Sequence, residues 1–472
     1  MRRYHQLAEN VSAYIRRGVL RPGDRLPSVR AVSRREHISP ATVVQAYKLL
    51  EDRGEIRSRH RSGHYVAAQL GPGPLPEPAV SVPAADAPAA VNMRELIFNM
   101  LDVQRIAGVT PLGSAFPDAS LFPLTKLARA AGAAARKLNP QSIYDQMPPG
   151  NAELRRLIAR RYLDFGCDVP LEEIVITSGA LEALYLSIAT ATKPGDVVAI
   201  ECPAFYLMLN AIERLGLKAI QIETHPREGM SVSALADALK RHPVKVCWLM
   251  TNFQNPLGAL MPEATKRELV KLLAAHDVLL IEDDAYGELF FGSRLPKPAK
   301  AFDRSGRIMH CGSFSKCLAP GYRVGWVAAG GRAKEVERTK VMATIATSAP
   351  TQSAIVEYLK HGGYQSHLRR LRATLEEQQV RMLQAVARHF PSGTRVTRPL
   401  GGYFLWVEMP LKVDSLEVHR LACKQKITVA PGPMFSPQHD HKNCLRINYG
   451  IRWTPQTEAA VAALGRIVTS LA

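Results

Sequence analysis

The pattern of apolar and polar positions divides this chain into two unlike parts. In the longer part, short and nearly continuous apolar runs recur with amphipathic helical stretches between them. The runs are residues 173–177, 197–201, 218–223, 245–250, 278–282, 307–311 and 324–329. Runs of this length, rich in β-branched residues, predict strands buried on both faces, and hence an α/β domain with a mostly parallel sheet. In such sheets ligands gather at the carboxyl ends of the strands. Five polar clusters fall there: Thr177-Ser178-Gly179-Ala180, Cys202-Pro203-Ala204-Phe205, the NFQNPLG segment 252–258, Asp283-Asp284-Ala285-Tyr286, and Gly312-Ser313-Phe314-Ser315-Lys316.

The first 66 residues read differently. Tyr4, Leu7, Ala8, Val11, Tyr14 and Ile15 recur at i, i+3, i+4 spacing and predict a helix over 3–17. Pro22-Gly23 makes a turn. Ser28 is placed to cap a second helix over 29–36, and Ser39 a third, with Pro40 at its first position, running to about Arg53 and ended by Gly54. Residues 55–66 then predict two short strands around Ser62-Gly63, a basic hairpin. Helix, helix–turn–helix and hairpin is the arrangement that lays one helix in the DNA major groove with a wing beside it. Residues 67–90 hold six prolines and no Lys or Arg. They predict a linker, extended in part, reaching up to about 75 Å at about 3.1 Å per residue. The body follows as 91–472, with a large part over about 120–335 and a smaller α+β part over about 336–472.

Composition adds further constraints. At roughly 150 residues per domain, 472 residues exclude a single small module. The net charge is +19, and residues 1–66 carry 14 Lys and Arg against 6 Asp and Glu, so the head is much the more basic part per residue. A polyanion partner and a solvated basic face both fit that charge. The chain contains no run of 18 uncharged apolar residues and no apolar core after its basic start, so neither a membrane span nor a signal peptide is expected. Its 7 cysteines include no CxxC pair. A disulfide scaffold or zinc ribbon is therefore not expected, and a reducing cytoplasm fits. The HDHK segment 439–442 matches no standard metal spacing and reads as a solvated loop.

The strand-end clusters have a common chemistry. Ser178, Gly179 and Ala180 lie at a strand-to-helix junction, where free amides favour an anion. Ser313, Ser315 and Arg323 add hydroxyls and a guanidinium suited to phosphate. Asp283 can hold a protonated ring nitrogen, Phe205 can stack on a flat ring, and Lys316 can form an imine. Phosphate, cationic ring and lysine imine together describe pyridoxal 5′-phosphate (PLP). Each piece alone has a commoner use, as an N-cap, a turn or a core residue. The order and strand-end placement of all five carries the reading.

Three resemblances extend it. The string RLPSVRAVSRREHISPATVVQAYKLLEDRGEI resembles the GntR winged-helix family. That resemblance implies DNA contacts from Arg30, from Ser39, Ala41 and Thr42 at the start of the recognition helix, and from Arg57, Arg59, His60, Arg61 and Gly63 in the wing. Pro40 stands where some relatives place a base-reading Arg. From about residue 110 onward the chain resembles the fold-type I aminotransferases, and head, linker and body together resemble the MocR-type regulators of the GntR family. The resemblance implies that Lys316 forms the internal aldimine with PLP, and that Asp283 pairs with the pyridine nitrogen. Tyr286 and Asn255 would hydrogen-bond the phenolic oxygen, and Phe205 would stack on the ring, where many relatives have Tyr. Gly179, Ala180, Ser313 and Arg323 would hold the phosphate. Tyr144 would reach the phosphate of a neighbouring subunit, which implies a homodimer, with exchange of the heads between subunits an open arrangement. Arg446, in LRINYG, would take an amino acid's carboxylate. Ser114-Ala115 stand where an aminotransferase substrate loop often has Gly, which implies altered substrate access. Two functions follow. One is a DNA-binding regulator that senses an amino acid or amine by external aldimine formation at Lys316, with weak transaminase activity. The other is a metabolic aminotransferase with an appended DNA-binding head. The basic head and long linker favour the regulator.

Overall fold

A computed structural model describes residues 3–17, 19–21, 23–52, 55–59, 63–66, 75–92, 108–138, 144 and 147–472. The head consists of α1 (Arg3–Arg16), α2 (Val29–Arg35), α3 (Pro40–Asp52) and a hairpin of β1 (Ile56–Arg59) and β2 (Gly63–Val66). Both expected caps form: Ser28 Oγ accepts from the Ala31 amide at 3.2 Å, and Ser39 Oγ from the Thr42 amide at 3.2 Å. The expected helix end at Gly54 lies outside the described residues. Leu7, Ala8, Val11 and Ile15 of α1 close on Val43, Ala46, Tyr47 and Leu50 of α3, with Ile56 and Val66 of the hairpin sealing one end. Tyr14, expected on the apolar stripe of α1, is instead exposed.

The body begins with β3 (Ala89–Ala90), α4 (Leu124–Ala135) and α5 (Ala152–Asp164). It continues through β4 (Ile174–Thr177), α6 (Ala180–Ala191), β5 (Val197–Glu201), α7 (Tyr206–Arg214), β6 (Lys218–Ile222), the short β7 (Thr224–His225) and β8 (Gly229–Met230), α8 (Val232–Arg241), β9 (Val244–Leu249), α9 (Glu263–Ala275), β10 (Leu279–Asp283), β11 (Ile308–Ser313) and β12 (Gly325–Ala328). Eight of these strands form one sheet in the order β3-β6-β5-β9-β10-β11-β12-β4. The run from β6 to β11 is parallel, and β3, β12 and β4 are antiparallel to their neighbours. Every residue of β4, β5, β10, β11 and β12 is buried, as their unbroken apolar runs require. The smaller part holds α10 (Ala333–Thr344), α11 (Ala349–His361), the 26-residue α12 (Tyr364–His389), β13 (Arg395–Val396), β14 (Phe404–Glu408), α13 (Ser415–Lys424), β15 (Ala430–Pro431), β16 (Cys444–Asn448) and α14 (Pro455–Leu471). Its sheet is antiparallel in the order β13-β14-β16-β15.

The proline-rich segment is strapped to the body from residue 75 onward. The Leu75 and Pro76 carbonyls accept from the Arg398 side chain and the Val396 amide. Glu77 pairs with Arg227, and Asp86 with Arg241. Ser81 exchanges two 3.0 Å backbone hydrogen bonds with Thr224, and Ala89-Ala90 join the sheet beside β6. Residues 67–74 lie outside the described residues.

Among the described residues no helix is long and apolar enough to cross a membrane, and no group of three or more His, Cys, Asp or Glu side chains is placed to hold a metal. The HDHK loop is only partly solvated. His441 turns inward, its Nε2 3.6 Å from Cys202 Sγ and its ring edge-on to Trp406.

Candidate functional site

At the end of β4 the chain turns through Ser178 and Gly179 into α6. Gly179 has φ +95, a backbone that favours glycine, and a Cβ there would fall 2.5 Å from the Arg323 guanidinium and displace it. No side chain caps α6, which leaves its first amides for an anion. Arg323 is itself left-handed, with φ 50. That turn brings its Nη2 to the Ser178 carbonyl at 3.2 Å and its Nη1 to Ser315 Oγ at 3.0 Å. The Ser315 amide donates to Ser313 Oγ at 3.0 Å. Guanidinium, hydroxyls and helix N-terminus make a cradle for a dianion.

The cradle opens into a cavity of about 420 Å³, a size typical of small-ligand sites. Ala180, Phe205, Asn255, Asp283, Tyr286, Ser313, Ser315, Lys316 and Arg323 all line it, together with Phe116, Leu181, Leu184, Leu207 and Met250. Ser178 and Gly179 stand behind it as backbone. Lys316 donates to the Ala115 carbonyl at 2.7 Å, with its ammonium 3.9 Å from the Phe116 ring centroid. Burial, then the nearby Arg446 and Arg323 charges, push the lysine pKa down from 10.5 to about 7. Burial likewise raises Asp283 to about 7, against the 3.1 Å hydrogen bond it accepts from the Ala285 amide.

Below the cavity lies Arg446, on β16 and fully buried. Its Nη1 donates to Asn255 Oδ1 at 3.0 Å and its Nη2 to the Gly113 carbonyl at 2.8 Å, with Phe404 4.2 Å beneath it. Arg446 Nε and Asn255 Nδ2 are buried donors without an acceptor; Asn255 lines the cavity, where an unsatisfied donor points to a ligand's oxygen, and Arg446 stands behind it. The loop 113–118 lies over the site. Its carbonyls accept from Lys316 and Arg446 as above, from Tyr403 Oη at 3.0 Å, and from Asn448 Nδ2 at 3.1 and 2.7 Å. Tyr403, Asn448 and Phe116 were not among the expected site residues. Asn448 had a signal, since it stands two residues after Arg446 on the same strand face. Tyr403 had none. Tyr144 is 71 % exposed and does not line this cavity.

In the head, Arg30, Ser39 and Ala41 are exposed, and Thr42 is half-buried, its hydroxyl 2.8 Å from that of Ser39. Gly63 has φ +111 and lies against Arg25, which bridges to Tyr65. Arg25 is an exposed cation at the wing that the sequence reading passed over. Arg57 and Arg59 stand on β1; their side chains, and all of His60 and Arg61, lie outside the described residues.

Fold and site together define a winged-helix regulator joined to an aminotransferase-like body. The chain belongs to the class I and II aminotransferase family, whose profile matches residues 114–464, and carries a head of the bacterial GntR regulatory family, matched over residues 3–66. This is the MocR-type architecture. The HTH-type transcriptional regulator YdcR of Escherichia coli (strain K12) is 45% identical over 99% of both chains, and YjiR of the same strain is 36% identical over 99% of both. Among solved structures, the α-aminoadipate aminotransferase LysN of Thermus thermophilus, complexed with N-(5′-phosphopyridoxyl)-L-leucine, superposes with a TM-score of 0.73 at 29% identity. That match covers 79% of this chain and 94% of LysN. The chain is thus a DNA-binding transcriptional regulator with an aminotransferase-like body, and its family is one of PLP-dependent proteins. The residues present fit that cofactor: the Gly179 cradle, the buried Asp283 and the half-buried Lys316 in one cavity, and the orphaned Asn255 amide.

The depressed lysine gives a pH prediction. Only the neutral amine attacks an aldehyde, so the rate at which the apo-protein captures PLP is expected to rise with pH through about 7 and then level off. Stopped-flow absorbance checks this. A rate still climbing toward the ordinary lysine value would contradict the burial of this amine.

Proposed function

We propose that the body senses an amino acid or amine through PLP held at Lys316 and passes that event to DNA through the head. The cofactor would supply an aldehyde that bonds reversibly with amines and a ring that withdraws electrons. The chain supplies the rest. Lys316 would hold the cofactor through its side-chain amine, a place for which an incoming amine would compete. Asp283, poised by burial, ionises against the ring nitrogen. Asn255 and Tyr286 address the ring oxygen, Phe205 covers a face, and Arg323, Ser313, Ser315 and the α6 amides hold the phosphate. Arg446 binds the carboxylate of an amino acid, for which it gives up the Gly113 carbonyl. Tyr144 reaches the phosphate of a neighbouring subunit in a homodimer. The observation that carries this reading is the convergence of Lys316, Asp283 and the unpaired Asn255 amide on one cavity.

A Lys316 amine released from the cofactor would be able to move a proton on a bound amino acid, which would give weak transaminase activity a chemical basis. A metabolic aminotransferase with an appended head is the second reading, favoured by the likeness of the body to LysN. A spectral screen of amino acids and amines against the PLP-loaded protein, paired with DNA-binding assays, separates the two. The sensing reading expects a shifted visible band together with changed DNA affinity. Rapid turnover with DNA affinity unmoved by every compound would favour the enzyme.

A further inference from the structure

One helix touches both the lysine segment and the head. At the start of α12, His367 Nε2 lies 2.8 Å from the carbonyl of Cys317, the residue after Lys316. Tyr364 Oη lies 3.2 Å from Cys317 Sγ. One turn further on, Arg372 Nε donates to the Glu288 carbonyl at 2.6 Å, in the turn that follows Tyr286, and its guanidinium sits 3.8 Å from the Phe290 ring centroid. The next turn carries Glu376 and Glu377. Glu376 Oε1 is 3.1 Å from His5 Nε2 on α1, and Glu377 Oε1 is 3.2 Å from Lys48 Nζ on α3. Beyond them, Glu51 of α3 shares a polar cavity with Arg381 and Arg388 of α12. The distance along the helix from His367 to Glu377 is about 15 Å at about 1.5 Å per residue.

We propose that α12 couples the cofactor lysine to the head, which docks on its middle turns through the His5–Glu376 and Lys48–Glu377 pairs. The proposal rests on the sensing reading above and names the element that carries the signal. Leu368, Leu371, Leu375 and Met382 of α12 are buried, so the helix is one continuous packed element between its two contacts. A shift of Lys316 on exchange with an amine moves the Cys317 carbonyl, and His367 with it. The middle turns meet the head through two partly exposed polar contacts, His5–Glu376 and Lys48–Glu377, which are individually weak, so a small displacement suffices to undock it. Docking transmits a signal only because it differs between the two states.

The test uses the full PLP-loaded chain, a mixture of the standard L-amino acids, and a labelled random-sequence duplex at low salt. Wild-type DNA affinity is expected to change by about fivefold or more on adding the amino acids. Glu376→Lys should hold that ratio near one while the spectral response to amino acids stays as in the wild type. His5→Glu combined with Glu376→Lys should restore it, which a merely unfolded variant could not do. A wild-type ratio in Glu376→Lys would overturn the role of α12 and leave the sensing reading standing. A ratio of one in the wild-type protein, with its visible band shifting, would overturn both.

Discussion

Lys316→Ala is expected to abolish the visible absorption band of the PLP-loaded protein while leaving DNA binding intact. The band arises from the covalent bond to this amine, and no other lysine lines the cavity among the described residues. The cradle around Arg323 survives the change, so PLP should still bind, reversibly, and be lost on dialysis. The head has its own core, built from α1, α3 and the hairpin, and does not depend on the lysine to fold. Absorbance after dialysis and a mobility-shift assay check the two halves. A retained band would mean that another amine carries the cofactor.

Arg446→Ala is expected to weaken the spectral response to amino acids far more than that to simple amines. Truncating one partner of a buried, charge-assisted pair costs about 2–5 kcal/mol, or about 30-fold to 1,000-fold or more in affinity. The change also strands Asn255 Oδ1 and the Gly113 carbonyl, each a buried acceptor whose loss of partner costs about 1–3 kcal/mol in stability. Thermal melting alongside the titration separates that penalty from lost recognition. Arg446→Lys keeps the charge but not the planar fork, so it should recover stability better than selectivity. Equal losses for amino acids and amines would remove the carboxylate role.

Much of this was legible in the sequence, for physical reasons. The buried strands announce themselves because a strand covered on both faces has no polar side to interrupt it. The clusters at their ends could be placed on one rim because parallel strands end on the same side of a sheet. Ser28 and Ser39 could be read as caps because unpaired amides at a helix start need acceptors close by in sequence. Contacts between distant segments left no such mark. The seal formed by loop 113–118 depends on Tyr403 and Asn448, 288 and 334 residues away from the carbonyls they hold. The strapping of residues 75–90 rests on scattered hydrogen bonds and ion pairs with both parts of the body, and a proline-rich run has no periodicity from which to read them. The exposure of Tyr14 has the same origin, since spacing gives a stripe its direction but not its width.

The strap also bounds how far the head can range. Only nine peptide steps separate Val66, the last residue of β2, from Leu75, where the chain is already held. At about 3.3–3.6 Å per residue that leash spans about 32 Å at most, less than one turn of B-DNA at about 34–36 Å. Two such leashes in a homodimer would make the spacing between operator half-sites, as much as their bases, a criterion of binding.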